Sequence, residues 1–404
     1  MRRIAVAGAG LAGLQVVTAL RTGGYTGSIT MIGAEPHRPY DRPPLSKAVL
    51  RGDADHSTLV ADWDALDVDL RLECRVTGLG ADARGDGTLD TDLGELPFDQ
   101  LVLACGALPV TLPGTGNFEH VRTLRTIDDA LRLRAALRPD TRVVIVGAGW
   151  IGAEVATAAA RAGCAVHVVE ALPAPLASAL PAEIGALTEP WYDKAGIELT
   201  LGTRVLGVER DTVALADGRT LDADLIVVGV GVRPATDWLA GTGIARDDGG
   251  AVLTDAQLRT TLPAVYAVGD CAAWHSRRYG QRLHVEHWDH ALRAPSVVAA
   301  NLLGAEQAYD PVPYFWSEQF GRMVQYAGHW PAGDRVVWRG DPQATGAGEG
   351  GWTACWLSGD RLVAVLAVNR PKDLVQGRRV MTAETPIDPE HLIDPAVSIK
   401  DATS

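Results

Sequence analysis

The apolar residues of the chain repeat one pattern at two places. In each place a short apolar run leads into a glycine-rich turn, a segment with helical spacing follows, and a second apolar run closes the unit. The first unit has its apolar runs at residues 4–7 and 29–32, and the second at residues 143–146 and 165–170. Continuous apolar runs beside helical segments are typical of buried parallel strands. The pattern therefore predicts two βαβ units.

Further apolar runs extend this pattern along the chain. Residues 126–137 and 291–303 have the spacing of helices. In the Pro-rich segment 36–47, Ser46 is predicted to cap the start of a helix. We predict further strands over residues 68–76, 88–96, 99–106, 225–232 and 265–268.

From residue 313 onward the pattern changes to short strands with many tryptophans. The sequence Ser-Gly-Asp at 358–360 predicts a hairpin turn between strands 352–357 and 362–368. We therefore predict an α/β fold with two Rossmann-like dinucleotide-binding domains and a small α+β C-terminal domain. The expected domains are residues 1–110 together with 245–312, residues 111–244, and residues 313–404.

Both glycine-rich turns match the fingerprint of a dinucleotide-binding site. Residues 8–13 are Gly-Ala-Gly-Leu-Ala-Gly, and residues 147–152 are Gly-Ala-Gly-Trp-Ile-Gly. In such a turn the first glycine permits the bend, the second lets backbone N–H groups approach a pyrophosphate, and the third lets helix pack on strand. An acid after the next strand, here Glu35 and Glu170, can bind a ribose hydroxyl. Two fingerprints predict two dinucleotides and electron transfer between them.

Composition and charge argue against several other classes of function. The net charge of −13 disfavours a nucleic-acid-binding protein. Apolar stretches stay below the roughly 18–20 residues that span a bilayer, and the first strand begins too early for a signal peptide. The five cysteines lie far apart in the sequence, which is typical of a cytoplasmic protein and not of a disulfide-exchanging flavoenzyme. No thiol or carboxylate cluster supports a metal site at His284, His287 and His290, so we expect no bound metal.

Several other segments accompany the two fingerprints. They are residues 43–47, 101–106, 124–126, 266–270, 285–288, 313–319 and 368–371. Together they resemble the FAD-dependent ferredoxin reductases of the putidaredoxin reductase family, which serve cytochrome P450 and Rieske-type oxygenases. Pro-Pro-Leu-Ser-Lys at 43–47 and Phe-Trp-Ser-Glu-Gln at 315–319 are the most specific segments. The resemblance covers essentially the whole chain and implies a glutathione-reductase-like fold, bound FAD and NADH as substrate.

The resemblance also implies which residues hold FAD. The first glycine turn would bind the pyrophosphate, Glu35 the adenosine ribose, and Arg42 and Lys47 would neutralise charge. The implied set is Gly8, Gly10, Ala12, Gly13, Glu35, Arg42, Lys47, Val76, Ala104, Cys105, Gly106, Arg125, Gly269, Asp270, Glu286, His287, Trp288 and Trp316. Two positions depart from the family pattern. Cys105 replaces a threonine, and Ala34 replaces an aspartate.

For the nicotinamide dinucleotide the corresponding set lies in the second unit. It comprises Gly147, Gly149, Ile151, Gly152, Glu154, Glu170 and Gly231. A carboxylate at Glu170 binds the 2′-hydroxyl of NADH and repels the 2′-phosphate of NADPH, so we predict NADH as the electron donor.

Three residues are candidates for the chemistry itself: Lys47, Glu154 and Trp316. By the resemblance, Glu154 would hold Lys47 where its charge stabilises reduced flavin, and Trp316 would lie close to the isoalloxazine ring. The alternatives are two separate surface charges and a core tryptophan.

The resemblance implies a small acidic [2Fe–2S] ferredoxin as electron acceptor. An acidic reductase then needs a local basic face, for which Arg277, Arg278, Arg293 and Arg322 are candidates. We expect a cytoplasmic monomer or weak homodimer, with no nucleic-acid or membrane partner. Two other functions stay open at this point: an NADH oxidase or rubredoxin reductase on the same fold, and a flavin-bound redox sensor or interaction protein.

Overall fold

The computed structural model describes residues 2–81, 87–115, 118–343 and 351–403, and the chain divides into two compact units. Unit 1 consists of Met1–Asp41, Thr58–Leu108 and Arg233–Tyr314; unit 2 consists of Arg42–Ser57, Pro109–Val232 and Phe315–Ser404. Each unit therefore draws on three separate segments of the sequence. These two units do not test the predicted division into three domains, which stays a prediction.

Unit 1 is built on a five-stranded parallel sheet. Its strands, in spatial order, are Val265–Ala267, Gln100–Leu103, Ile4–Ala7, Ile29–Ile32 and Asp69–Arg71. Alternate residues of the central strand are buried in two different apolar clusters, one on each face of the sheet. Burial on both faces explains why the sequence of the strand Ile4–Ala7 is a continuous apolar run.

Helices and smaller sheets complete unit 1. Its α-helices are Leu11–Thr22, Trp63–Leu66 and Trp288–Leu302, and its 3₁₀ helices are Asp237–Leu239 and Gly269–Cys271. The smaller sheets are an antiparallel one of Val76–Ala81, Gly87–Thr91 and Gly94–Phe98, and a mixed one of Val252–Leu253, Ala272–Ser276 and Gln281–His284. Two short strands, Ala107–Pro109 and Val232–Pro234, lie where the sequence passes from one unit to the other.

Unit 2 repeats the parallel arrangement. Its strands, in spatial order, are Glu198–Thr200, Ala165–Val169, Arg142–Val146, Leu225–Val228 and Val121–Arg122. Its α-helices before residue 315 are Ala48–Arg51, Ile127–Ala136, Trp150–Arg161, Ala182–Ala186 and Glu189–Lys194, with a 3₁₀ helix at Pro43–Ser46. A small antiparallel sheet is formed by Val205–Val208, Thr212–Leu215 and Thr220–Asp222. The repeated βαβ unit is thus present in both units.

The C-terminal part of unit 2 is an α+β structure. Its five strands, in spatial order, are Tyr314–Gln319, Arg322–Gly328, Arg361–Val368, Trp352–Ser358 and Arg335–Arg339. Its helices are Pro371–Ala383 and Pro389–Ile393, with 3₁₀ helices at Trp330–Ala332 and Ile399–Asp401. Arg361–Val368 pairs antiparallel with Trp352–Ser358 through the predicted hairpin turn. The predicted fold class, two Rossmann-like parts and a small α+β part, is confirmed.

Several local predictions were wrong. The predicted strands 99–106 and 225–232 are shorter in the structure, at Gln100–Leu103 and Leu225–Val228. Only residues 69–71 of the predicted strand 68–76 form a strand before the next one begins at Val76. Residues 88–96 belong to two strands, because Asp92 and Leu93 form a turn between them. Ser46 ends a 3₁₀ helix and its hydroxyl hydrogen-bonds to Glu154, so it does not cap a helix.

No helix in the described ranges is long and apolar enough to cross a membrane.

Candidate functional site

The first glycine turn lies at the carboxyl end of the central strand of unit 1. Gly8 has a positive φ of 129°, and a Cβ there would lie 2.0 Å from the carbonyl oxygen of Ala104. A Cβ at Gly13 would lie 1.9 Å from the carbonyl oxygen of Gly8. A Cβ at Gly10 would meet none of the described heavy atoms within 4 Å. The first and third glycines therefore serve the packing of the turn, while the second leaves its backbone open to a ligand.

Other residues predicted to contact FAD lie at the same edge of this sheet. Ala104 follows the neighbouring strand, and its N–H donates to Ala7 at 2.9 Å. A Cβ at Gly269 would lie 3.2 Å from the Cβ of Ala12. The structure therefore brings the ends of three parallel strands together beside the start of the helix Leu11–Thr22. Cys105, Gly106 and Asp270 lie in the same strand-end loops, Val76 begins an antiparallel strand, and Glu286, His287 and Trp288 lie at the start of the helix Trp288–Leu302.

Glu35 and Trp288 are held in place by partners within unit 1. The Tyr40 hydroxyl donates to Glu35 Oε2 at 2.5 Å. Trp288 Nε1 donates to Asp41 Oδ1 at 2.8 Å. Both partners come from the loop that follows the strand Ile29–Ile32. This loop therefore orients two residues predicted to contact FAD.

Cys105 and Cys271 are close together in the fold, although they are far apart in the sequence. The neighbouring Cys271 side chain, together with burial, raises the pKa of Cys105 well above its ordinary value. Cys271 is fully buried and donates to the Val268 carbonyl at 3.3 Å. The raised pKa keeps Cys105 a neutral thiol, as a small packing residue would be.

Two histidines lie at the start of the helix Trp288–Leu302; His290 is buried and His287 is half-buried. Burial lowers the pKa of His287 from 6.5 to about 4, and that of His290 to about 3. His290 stacks on Trp274 with ring centroids 4.6 Å apart, and its Nδ1 lies 2.8 Å from the Tyr309 hydroxyl. These contacts give His290 a place in the apolar core. No group of three or more His, Cys, Asp or Glu side chains suited to a metal ion occurs among the described residues.

The second glycine turn has the same geometry in unit 2. Gly147 has a φ of 103°, and a Cβ at Gly152 would lie 2.0 Å from its carbonyl oxygen. A Cβ at Gly149 would meet none of the described heavy atoms within 4 Å. Ile151, one residue past the helix start, is 42% exposed, and Gly231 has a positive φ of 113° in the loop after Leu225–Val228. Here too the middle glycine leaves the backbone accessible.

Glu170 follows the strand Ala165–Val169 and turns back to this glycine loop. Its Oε2 accepts from the backbone N–H of Ala148 at 2.7 Å, and its Oε1 accepts from that of Leu172 at 2.9 Å. The carboxylate is thereby fixed beside the turn, where a ribose hydroxyl would bind.

Lys47 and Glu154 form a buried ion pair in unit 2. Lys47 Nζ lies 2.8 Å from Glu154 Oε2, and the two side chains are only 9% and 2% exposed. Lys47 follows the 3₁₀ helix Pro43–Ser46, whereas Glu154 lies in the helix Trp150–Arg161. The Nζ also lies 6.0 Å from the centroid of the Trp316 ring. The structure thus brings together all three residues predicted for the chemistry.

Arg42 and Arg125 are also neighbours in unit 2. Arg42 Nη1 donates to the Arg125 carbonyl at 2.5 Å. The backbone N–H of Arg125 donates to Asp129 Oδ2 at 3.2 Å. Asp129, in the helix Ile127–Ala136, therefore holds the backbone of Arg125 in place, and that backbone in turn holds the Arg42 side chain.

The sequence did not reveal two serines and a glutamine beside Glu154. Ser46 and Ser317 both donate to its carboxylate, and Gln319 Nε2 donates to Ser317 Oγ at 3.0 Å. The only available signal was their place in the segments 43–47 and 313–319 that carry the family resemblance.

The four candidate arginines for a basic face differ in their surroundings. Arg277 is exposed in the turn between Ala272–Ser276 and Gln281–His284, and the backbone N–H of Arg278 donates to Asp310 at 2.9 Å. Arg293 pairs with Asp289 at 2.8 Å. Arg322 lies 4.8 Å from the Trp191 ring centroid, and burial lowers its pKa. The first three belong to unit 1 and Arg322 to unit 2.

Comparison with known proteins gives matches along nearly the whole chain. The description of the pyridine nucleotide-disulphide oxidoreductases matches residues 2–294, and that of the reductase C-terminal domain matches residues 314–403. The chain belongs to the pyridine nucleotide-disulphide oxidoreductase family. Its curated relatives include ferredoxin reductases, which confirms the predicted resemblance.

Within this oxidoreductase family, the chain is similar to reductases that serve other redox proteins. It is 36% identical over 411 residues to the ferredoxin–NAD(+) reductase component of the anthranilate 1,2-dioxygenase system of Burkholderia cepacia, covering 98% of each chain. The crystal structure of Fdr9 is 46% identical, with a TM-score of 0.91 and 99% of each chain covered. The reductase in the covalent putidaredoxin reductase–putidaredoxin complex is 31% identical, with a TM-score of 0.92, over 99% of this chain and 98% of that chain.

Proposed function

We propose that this chain is an NADH-dependent, FAD-containing ferredoxin reductase. It takes two electrons from NADH and passes them one at a time to a [2Fe–2S] ferredoxin that serves a cytochrome P450 or Rieske-type oxygenase. The observation that carries this function is full-length similarity to ferredoxin–NAD(+) reductases in a chain that has two complete dinucleotide turns. FAD supplies the chemistry, because it accepts an electron pair and releases single electrons.

The residues of unit 1 fit a bound FAD. The open backbone at Gly10 and the start of the helix Leu11–Thr22 offer N–H groups to a pyrophosphate. Glu35, held by Tyr40, offers a carboxylate to a ribose. Val76, Asp270 and the start of the helix Trp288–Leu302 are assigned to the rest of the cofactor.

The residues of unit 2 fit NADH. Gly149 offers an open backbone to the pyrophosphate, and Glu170 is fixed where it can accept from a 2′-hydroxyl. Lys47, paired with Glu154, supplies a positive charge close to Trp316. We assign Lys47 to stabilising negative charge on reduced flavin, and Glu154 to holding Lys47 in place.

The chain contains no cysteine in residues 36–47, the segment in which a disulfide-exchanging or peroxidase relative would be expected to carry a redox cysteine. This supports a function in which electrons leave the flavin directly for a protein partner. For that partner we propose docking on a basic surface that includes Arg277 and Arg278. We further propose that the chain works in the cytoplasm as a monomer or weak homodimer.

One assay tests this function against the alternatives. The protein, purified with its FAD, is mixed with NADH, cytochrome c and a [2Fe–2S] ferredoxin. Rapid cytochrome c reduction that requires the ferredoxin supports the proposal. Fast oxygen consumption without ferredoxin would instead indicate an NADH oxidase. A slow reaction with a long-lived charge-transfer band would indicate a redox sensor. A protein that retains no flavin would contradict all three functions.

A further inference from the structure

The Glu154 carboxylate accepts more hydrogen bonds than an ion pair with Lys47 requires. Its Oε2 accepts from the Ser46 hydroxyl and from Lys47 Nζ. Its Oε1 accepts from the Ser317 hydroxyl at 2.5 Å and from the backbone N–H of Glu318 at 3.2 Å. An ionised carboxylate offers about four acceptor positions. These four donors therefore fill the carboxylate's hydrogen-bonding capacity.

Ser317 is itself fixed by a second buried side chain. Gln319 Nε2 donates to Ser317 Oγ at 3.0 Å, and both residues are only 1% exposed. Because Gln319 supplies the proton of that bond, the hydroxyl proton of Ser317 is directed to Glu154. The side chains form a buried series of hydrogen bonds that runs from Gln319 through Ser317 to Glu154 and Lys47.

We infer that Ser317 is a positioning residue for flavin reduction. A buried ion pair keeps a defined geometry only when further hydrogen bonds satisfy its polar atoms. Ser317 supplies such a bond to Oε1, the oxygen opposite the one that holds Lys47. Each of the four contacts on Glu154 is a donor, so the carboxylate acts as a fixed acceptor that orients Lys47. The link to flavin reduction rests on the function proposed above, whereas the link from Ser317 to Lys47 rests on these contacts alone.

The test compares Ser317→Ala with a matched variant elsewhere in unit 2. Thr353→Val also removes a fully buried hydroxyl, which donates to the buried carboxylate of Asp373 at 3.0 Å. The two variants lose the same kind of bond, but Thr353 is not part of the Lys47–Glu154 cluster. Ser317→Thr keeps the hydroxyl and serves as the rescue variant.

The first measurement does not depend on activity. Apoprotein is exposed to an amine-acylating reagent, and the modification rate of Lys47 is followed by peptide mass spectrometry. We expect Lys47 to react several-fold faster in Ser317→Ala than in the wild type, because its carboxylate partner is less firmly held. Thr353→Val and Ser317→Thr should react at the wild-type rate.

The second measurement is stopped-flow reduction of the bound flavin by NADH. We expect the limiting rate to fall on the order of tenfold in Ser317→Ala, with an unchanged half-saturating NADH concentration, since a displaced charge slows the reaction without weakening NADH binding. Ser317→Thr should restore the rate.

Three outcomes would decide against the inference or separate it from the proposed function. Lys47 labelling in Ser317→Ala that matches Thr353→Val overturns it. Faster labelling with unchanged flavin reduction overturns the role in the reaction. A wild-type protein that NADH does not reduce would contradict the proposed function, and the labelling comparison would still decide whether Ser317 fixes Lys47.

Discussion

At the scale of single residues, Glu170 sets the predicted choice of nucleotide. Its carboxylate is fixed by the backbone of Ala148 and Leu172, and the residues that follow it, 171–173, contain no arginine. A 2′-phosphate would therefore meet a fixed negative charge, and residues 171–173 would offer it no arginine.

We expect the wild type to prefer NADH over NADPH by at least about tenfold in kcat/KM. Glu170→Gln should narrow this ratio, because the amide oxygen can still accept from Ala148 while the charge is gone. Glu198→Gln, an exposed carboxylate on the neighbouring strand, is the control and should leave the ratio unchanged. Steady-state kinetics with both nucleotides measure the effect, and equal efficiency in the wild type would contradict the role of Glu170.

Two glycines of one turn should respond differently to the same substitution. In Gly152→Ala the new Cβ would lie 2.0 Å from the Gly147 carbonyl, so we expect a loss of about 1–3 kcal/mol in the free energy of unfolding. In Gly149→Ala the Cβ has open space and the φ of −74° suits alanine, so stability should be retained while NADH binding weakens. Urea unfolding and NADH titration separate the two effects. Equal losses of stability in the two variants would contradict the assignment of Gly152 to packing and of Gly149 to NADH binding.

At the scale of elements, the helix Ile127–Ala136 carries a capping box. Thr126 Oγ1 accepts from the Asp129 N–H at 3.1 Å, and Asp129 Oδ2 accepts from the Thr126 N–H at 2.9 Å. The same carboxylate holds the backbone of Arg125, which in turn accepts from Arg42. The cap therefore also orders two residues assigned to FAD.

Thr126→Ala should reduce the free energy of unfolding by about 1 kcal/mol, because one N–H at the helix start loses its acceptor. Thr126→Ser retains the hydroxyl and should behave like the wild type. Urea unfolding measures both variants. Equal stability of the alanine variant and the wild type would mean that the cap contributes nothing in this fold.

The sequence predicted elements well where the signal is local. Both βαβ units, the helix after Thr126 and the hairpin at 358–360 follow from residues that are neighbours in the chain. The hairpin within 88–96 was missed because an apolar residue, Leu93, lies in the turn itself, so that no wholly polar stretch separates the two strands. Ser46 was misassigned because a serine before a helix has the same local pattern whether it caps the helix or bonds elsewhere.

The candidate site was only partly predictable for the same reason. Lys47 and Glu154 were paired by family resemblance. Ser317 and Gln319 come from a third segment of the chain, and no local pattern indicates which carboxylate a distant serine will meet. Likewise, the spacing of Cys105 and Cys271 in the sequence gave no sign that their side chains would lie close together.

At the scale of the whole molecule, stability should depend on pH through His287 and His290, whose pKa values are lowered in the folded chain. Below pH 6.5 the unfolded chain binds protons at His287 and His290, whereas the folded chain does so only near pH 4 and pH 3. The free energy of unfolding should therefore fall as pH drops from about 6.5 toward 4, with each histidine contributing up to about 1.4 kcal/mol per pH unit.

Urea unfolding of the apoprotein at pH 7 and pH 5 measures this loss. His290→Asn should reduce it, because asparagine does not titrate and can still bond to the Tyr309 hydroxyl. His275→Asn, at an exposed position, is the control and should keep the wild-type dependence. An unchanged pH dependence in His290→Asn would contradict the assignment.

Because the chain has an overall charge of −13, the docking of an acidic ferredoxin that we propose would depend on local basic residues. Arg277→Glu should slow ferredoxin reduction at low salt several-fold and flatten its salt dependence, because steering by an exposed charge is screened by ions. Reduction of a small dye should be unaffected. Arg210→Glu, an exposed arginine of unit 2, is the matched control. Loss of dye reduction in Arg277→Glu would indicate damage to the flavin site instead.

The interleaved segments of the two units have a consequence for biosynthesis. The ribosome completes all five strands of the parallel sheet in unit 2 by residue 228, whereas the corresponding sheet in unit 1 lacks Val265–Ala267 until that strand emerges. The late strand occupies an edge beside Gln100–Leu103, so four strands can assemble early and accept the fifth without rearrangement. A nascent chain is thus expected to complete the parallel sheet of unit 2 before that of unit 1, and until then to present an unpaired strand edge to chaperones.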